Sequence, residues 1–333
     1  MNRIPLDIAF CNYDRVQPLV SGSVRIDGVD ATFHTERIVT EIFKGMIAER
    51  KYDVSELGMT YLLRVIDRPD PEFVGIPVFP NRAFRHSAIY VNNASGIRRP
   101  EDLAGKRIGE LALYGHDAGV MPKGILSDDF GFKPEIARWL VGGIDFPMEP
   151  VKYVPQRHPG NVQVQWADTE ADLGRMLEEG ELDALISADV PKCVLEGSEK
   201  VSRLFPDYVK VEQEYYARTG IFPIMHTVAV RRELAGSRPD LVKALYFALC
   251  KAKETTMEGL VQGMTFNNMS LMIPWTTNLL QEIRNALGHD WWPYGMRANR
   301  EAIDAILRYH FEQGITSRRF SAEEVFVPYL MDT

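Results

Sequence analysis

Cysteine is scarce in this chain. Cys11, Cys193 and Cys250 are the only three, widely spaced and without a CxxC pair. They build neither a disulfide framework nor a thiolate zinc site, and they fit a reducing compartment. Basic runs are also missing. The 333 residues carry a formal net charge of -8, which argues against a nucleic-acid binder with a basic face and against docking on an anionic membrane. An anionic small molecule is still compatible, because a few arginines in a cleft reverse the field locally. No apolar run approaches the ~20 residues that span a bilayer. The opening residues, Met1 to Phe10, show no charged n-region leading into an apolar h-region and no small-residue cleavage site, so the expected compartment is the cytoplasm. There is no HxH, HExxH, GxGxxG or P-loop lysine, and therefore no motif for a metal or a nucleotide cofactor.

What is present is a globular composition, 45% apolar and 25% charged, in a chain long enough for two domains of roughly 100–200 residues. Leu6, Ile8 and Phe10 alternate with polar or small residues as in a strand. Ala31 to His34, Asp53 to Leu57, Phe73 to Phe79 and Ser87 to Val91 read as further strands. Between them Ile38, Ile42, Met46 and Ile47 recur at helical spacing. The middle reads as a second α/β unit, with a strand after Gly105, a helix capped by Thr169 with Asp172 in the capping-box position, and a buried strand from Asp183 to Ala188. Phe222 to Val230 is one more strand. The last third is mostly helical, with Ser237 and Asp240, Asn299, and Ser321 with Glu324 as start signals.

The strands at Ser87–Val91 and Pro223–Val230 flank the middle unit. If both belong to the first sheet or its edge, the fold is a two-domain α/β fold with a hinged cleft. Residues 1–92 and 222–333 then form one discontinuous domain, and 93–221 are inserted as the second. Ligands of open α/β sheets sit beyond the carboxyl ends of strands. The candidate segments are therefore Asn12 to Arg15, Ser55-Glu56, Glu110 to Asp117, Asp189 and the two crossings.

Several segments resemble a known family: Asp53 to Leu57, Ile76 to Asn92 (with Arg82, Phe84, Arg85 and His86), Asp102 to Gly109, Gly220 to His226, and Trp292-Pro293-Tyr294-Gly295 with Asn299-Arg300. Together, from Leu6 to about Phe326, they resemble the 4,5-dihydroxyphthalate decarboxylases. The resemblance implies a type 2 periplasmic-binding-protein fold, loss of CO2 to give protocatechuate, and no organic cofactor. The chain departs from the family pattern after Gly109, where it runs Glu110-Leu111-Ala112-Leu113-Tyr114-Gly115-His116-Asp117.

Such chemistry needs arginines for substrate carboxylates, a proton carrier near the ring and an acceptor for the phenol. Arg82 and Arg85 beside the first crossing are carboxylate candidates, with inter-domain salt bridges as their structural alternative; Arg15 is a third. His86, His116 and His226 lie in segments facing the cleft, and histidine as a residue type can donate a proton near neutral pH; the alternative is structural hydrogen bonding. Glu56 could accept the phenol proton and Ser55 could hold a carboxylate, unless the two cap the next helix. Tyr294 could close the cleft or be an ordinary interface aromatic. His310 reads as core. The expected partner is a small aromatic dicarboxylate, with neither nucleic acid nor membrane, and a homo-oligomer is compatible with these features. Two rival readings share the fold: a solute-binding protein for a small organic anion, and another enzyme acting on a related aromatic or cyclic acid, such as a futalosine-pathway enzyme.

Overall fold

A computed structural model describes residues 3–268 and 270–333. Its eleven strands among the described residues are β1 (Ile4–Ala9), β2 (Val29–His34), β3 (Val54–Gly58), β4 (Phe73–Ile76), β5 (Ile89–Asn92), β6 (Arg107–Leu111), β7 (Arg138–Gly142), β8 (Gln163–Trp166), β9 (Ala184–Ile186), β10 (Val201–Arg203) and β11 (His226–Arg231). They form two mixed sheets. The first has the order β2-β1-β3-β11-β4 and the second β10-β5-β9-β6-β7-β8.

The directions of the strands explain where a ligand can sit. β1, β2 and β3 are parallel, and β11 runs antiparallel to β3 and β4. β6, β7, β8 and β9 are parallel, and β5 runs antiparallel to β9 and β10. The chain therefore enters each sheet, at β5 and again at β11, from the carboxyl edge of its parallel strands. Both carboxyl edges face the crossings, so the loops after β1, β3 and β6 converge between the sheets, as expected of ligand sites in open α/β sheets. The strand near Ser87–Val91 does not edge the first sheet. It is β5, inside the second sheet, preceded by a 3-10 turn over His86–Ala88.

β3 is buried along its whole length. A strand covered on both faces is normally apolar throughout, yet this one holds Ser55 and Glu56. The helix Met59–Ile66 follows it at once and is equally buried, including Arg64. The Arg64 guanidinium donates to the carbonyls of Tyr114 and Pro155 across the gap between the sheets. On the other side, the helix Arg300–Glu312 packs on the helix Asp117–Phe130. Gly124 makes this possible, since a Cβ there would lie 2.4 Å from the Tyr309 ring. The Tyr309 hydroxyl donates to Asp128 at 2.6 Å.

Several caps differ from the sequence reading. Asp172, not Thr169, caps the helix Leu173–Glu179 and accepts from Gly174 and Arg175. The long helix Pro239–Phe266 begins without a side-chain cap, so Ser237 and Asp240 form no capping box. Asn299 precedes Arg300–Glu312 but uses its amide to hold the carbonyls of Pro293 and Gly295. Ser321 and Glu324 do form the expected capping box. His310 is fully buried with Nδ1 on the Ile306 carbonyl, as core. Among the described residues no helix is long and apolar enough to cross a membrane.

Candidate active site

Glu56 is fully buried and fully engaged. Its Oε2 accepts from the Cys11 amide at 3.1 Å, and its Oε1 accepts from the Tyr13 hydroxyl at 2.7 Å. The same Oε1 lies 2.5 Å from Nδ1 of His226, the first residue of β11. The loop after β1 and two neighbouring strands thus close on one carboxylate. A buried carboxylate persists only when its oxygens are hydrogen-bonded, and the Cys11 amide, the Tyr13 hydroxyl and the His226 ring supply the partners. With Nδ1 turned to the carboxylate, Nε2 of His226 is left without a hydrogen-bond partner among the described residues, and the ring rests edge-on against Phe43. Glu56 lies behind His226 rather than in the open cleft. Ser55 points to the opposite face of β3, where its hydroxyl donates to the Glu56 carbonyl at 3.1 Å.

The loop after β6 meets this pair from the second sheet. It is held by Glu110 and Lys123, a 2.7 Å pair buried on both sides, with Glu110 also accepting from the Gly115 amide. Desolvation pushes the Glu110 carboxyl up, opposed by the Lys123 charge. His116 caps the helix Asp117–Phe130, its Nδ1 accepting from the Ala118 amide at 3.3 Å. Burial and the nearby Arg85 charge lower its pKa to about 3, so it is neutral at physiological pH. Asp117, next in the chain, is fully buried. Its Oδ1 accepts from the Thr60 amide at 2.7 Å, and its Oδ2 has no partner among the described residues. Desolvation raises its pKa to about 6, against the opposing pull of His226, the Thr60 amide and Arg85. The segment Glu110 to Asp117 was a candidate by position, but Asp117 was not singled out. A lone Asp at a helix start reads as a cap, and only its burial marks it.

The two arginines of the first crossing part ways. Arg82 donates through both terminal nitrogens to backbone carbonyls, to Phe222 at 2.7 Å and to Pro293 at 3.0 Å. It bridges backbone-to-backbone with Ile224 and so ties the two crossings together. Arg85 uses only Nε, against the Met225 sulfur at 3.0 Å. Its terminal nitrogens make no hydrogen bond among the described residues, and its charge is felt by Asp117 and His116. His86 turns the other way. It is buried between Phe205 and Tyr215, and desolvation lowers its pKa to about 4. Its charged neighbours are Asp129 and Arg218. Asp129 lies twelve residues along the helix from Asp117, roughly 18 Å at 1.5 Å per residue.

Arg15 stacks on Tyr13 and Trp292, with ring centroids 4.0 and 4.5 Å from its guanidinium, and donates to the Pro80 carbonyl. With Phe84, Phe222 and Trp292 it lines a cavity of about 370 Å³. Tyr13 links this cavity to Glu56 through its hydroxyl. Tyr294 is buried nearby and its phenol is pushed far up by desolvation, as in a packed interface aromatic. A larger concavity of about 940 Å³, beside the helices Tyr208–Thr219 and Thr276–Leu287, contains no buried ionisable residue. The buried acid–base groups lie between the sheets instead. Among the described residues no three or more His, Cys, Asp or Glu side chains group so as to hold a metal ion.

The fold itself is shared with solute-binding proteins. The periplasmic aliphatic sulphonate-binding protein SsuA of Escherichia coli aligns over 100% of both chains with a TM-score of 0.56 at 12% identity. The sulfonate-binding protein SsuA of Methylobacillus flagellatus KT aligns over 100% of this chain and 94% of its own, also at 0.56, with 13% identity. These likenesses show a two-domain periplasmic-binding-protein-like architecture. No protein-family model matches the chain. In sequence, a 4,5-dihydroxyphthalate decarboxylase of Comamonas testosteroni is 34% identical over 334 residues, covering 100% of this chain and 99% of that protein. One of Pseudomonas putida is 38% identical over 217 residues, 65% of this chain and 83% of that protein. With an end-to-end match of this kind, the chain belongs to the 4,5-dihydroxyphthalate decarboxylase family.

Proposed function

We propose that this chain removes CO2 non-oxidatively from 4,5-dihydroxyphthalate to give protocatechuate, as a cytoplasmic carboxy-lyase of aromatic (phthalate) catabolism. The observation that carries the reading is the buried Glu56–His226 pair at the carboxyl edge of the first sheet, in a chain matched end to end by a relative of that name. Direct loss of CO2 would leave an unstable aryl anion. A hydroxyl para to the departing carboxylate opens another route: its oxygen feeds electrons into the ring, the carbon bearing the carboxylate takes a proton, and CO2 leaves as aromaticity returns.

His226 is suited to the phenol end. With Nδ1 donating to Glu56, Nε2 accepts the phenol proton, and the carboxylate behind stabilises the imidazolium that forms. Arg85 is suited to the carboxylate that stays, because a guanidinium offers two parallel hydrogen bonds. The strand pairing supports a division in which residues up to about 80 and from 222 onward form one domain. The first boundary then falls before Ile89 rather than after Asn92. Substrate would enter as the two domains part and be desolvated as they close.

The test is incubation of the purified chain with 4,5-dihydroxyphthalate and a panel of hydroxylated phthalates and benzoates, scoring CO2 and ring product. Protocatechuate from the first compound is the expected result. Tight binding of an anion without CO2 release would favour the second reading, a solute-binding protein, which the SsuA-like fold supports. CO2 from a different ring acid alone would move the substrate.

A further inference from the structure

We propose that Asp117 is the general acid that protonates the ring carbon bearing the departing carboxylate, and that Gly58 is a positioning residue whose missing side chain leaves room for the Asp117 carboxyl. The assignment rests on the decarboxylase reading and supplies the proton carrier that His226, occupied with the phenol, leaves vacant.

The geometry begins with the register of the first sheet. Gly58 is the residue paired with His226, and residues directly opposite on antiparallel strands share a face, with Cβ positions roughly 5 Å apart. A Cβ built on Gly58 would lie 2.1 Å from Asp117 Oδ2. The free oxygen of Asp117 therefore occupies the place of a Gly58 side chain, beside His226 on the same sheet face. The backbone of Gly58 has φ -57 and ψ 139, a conformation open to any L-residue. A Cβ there would also lie 2.9 Å from Tyr61 Cδ2, so glycine makes room for the carboxyl and, less tightly, for the Tyr61 ring, and is not needed for the turn.

The surroundings suit an acid. The second oxygen, Oδ1, is fixed by the Thr60 amide, while Oδ2 is buried and unpartnered among the described residues. The groups acting on it from the packed elements are His226 from β11, Arg85 from the first crossing, and Tyr61 and Arg64 from the helix Met59–Ile66. Desolvation outweighs them and keeps the proton up to a pH of about 6. A dianionic substrate brought into the closed cleft raises it further, since like charge disfavours ionisation.

His226 Nε2 takes the phenol proton, and the oxygen lone pair becomes a ring C=O bond. A ring π pair forms a new C–H bond with the Asp117 proton, leaving Asp117 as carboxylate. The bond to the departing carboxylate then breaks, its electron pair restores the ring, and CO2 leaves. The oxygen takes its proton back from His226, and Asp117 is reprotonated from water when the cleft opens, so one proton is consumed per CO2.

The test compares wild type, Asp117→Asn, Gly58→Ala and the double variant for single-turnover CO2 release from 4,5-dihydroxyphthalate. Substrate affinity by tryptophan fluorescence and thermal melts are measured in parallel. Asp117→Asn is expected to lose ~10²–10⁴-fold in turnover, with affinity changed only a fewfold and a folded melt. Gly58→Ala, which keeps the carboxyl but displaces it, is expected to lose about tenfold or more, and to add nothing on top of Asp117→Asn, as coupled neighbours do. Wild-type turnover should fall as pH rises past the Asp117 ionisation, and Asp117→Glu should restore part of the activity with a shifted alkaline limb. Turnover of folded Asp117→Asn within about threefold of wild type overturns the assignment and leaves the decarboxylase reading standing. A Gly58→Ala effect that adds in full to Asp117→Asn overturns the positioning role. A wild type that binds 4,5-dihydroxyphthalate but releases no CO2 overturns the decarboxylase reading and the assignment together.

Discussion

Glu56 and His226 are diagonal neighbours on one face of the first sheet: Glu56 is registered with Val228 and His226 with Gly58. This offset sets the 2.5 Å contact between Oε1 and Nδ1. It also decides which imidazole nitrogen remains free, because the carboxylate occupies the other. A one-residue slip of β11 would turn the histidine to the opposite face.

The pair can be tested by its effect on turnover. His226→Ala is expected to lower single-turnover CO2 release by ~10²-fold or more while substrate affinity changes little. Glu56→Gln should lower it less, because the imidazole survives but loses the charge that stabilises its protonated form. Near-native turnover in both variants would send the phenol proton elsewhere.

Arg85→Lys should weaken substrate binding by about tenfold, equivalent to about 1.4 kcal/mol, with a smaller effect on the chemical step. A point charge cannot reproduce the fork. Titration of substrate against each protein reports the dissociation constant. Loss of turnover at unchanged affinity would contradict the carboxylate-holding role.

Arg82 and His86 are expected to matter for structure instead. Arg82→Ala leaves the carbonyls of Phe222 and Pro293 unpaired and should cost about 1–3 kcal/mol of stability, read by denaturant unfolding. His86→Phe keeps the aromatic packing between Phe205 and Tyr215 and should retain turnover within about threefold. A hundredfold loss in folded His86→Phe would return that histidine to the chemistry.

Asp117 carries a dependence of stability on pH whose sign follows from its pKa. The folded value, about 6, lies above the ordinary 3.8, so the folded state binds this proton more tightly than the unfolded chain. Its contribution is fully present below the unfolded value and is lost as pH rises through the folded one. Unfolding of Asp117→Asn compared with wild type between pH 4 and pH 8 should show the variant gaining relative stability as pH rises, by up to about 3 kcal/mol. A difference independent of pH would mean that Asp117 is not held protonated.

Much of the architecture was legible in the sequence because it is written in local periodicity. The alternation of Leu6, Ile8 and Phe10 gives β1, the spacing of Ile42 and Met46 gives the helix Val39–Ile47, and Ser321 with Glu324 caps the short helix Ala322–Val325. Where backbone geometry depends on distant partners, the sequence misled. Asn299 looks like a cap, yet its amide is drawn to the carbonyls of Pro293 and Gly295. The strand near Ser87 looks like an edge of the first sheet, but its partners are β9 and β10, more than ninety residues away in the chain.

Residue order alone placed His226, Arg82, Arg85 and His86 at crossings and Glu56 in the strand that leads to the cleft, with the chemistry to bind carboxylates and move protons. Which of them come together depends on contacts made across the fold. Arg82 and Arg85 are three residues apart and chemically alike, yet one fork is filled by carbonyls and the other has free ends. Arg85 and His86 are adjacent, yet the charge of one acts on Asp117 while the other packs toward the far end of the same helix. Asp117 itself reads as an ordinary helix start until folding removes its water and leaves one oxygen unpaired. Charge state and partnership depend on solvent exclusion and long-range register, and neither property belongs to a residue before the two sheets meet.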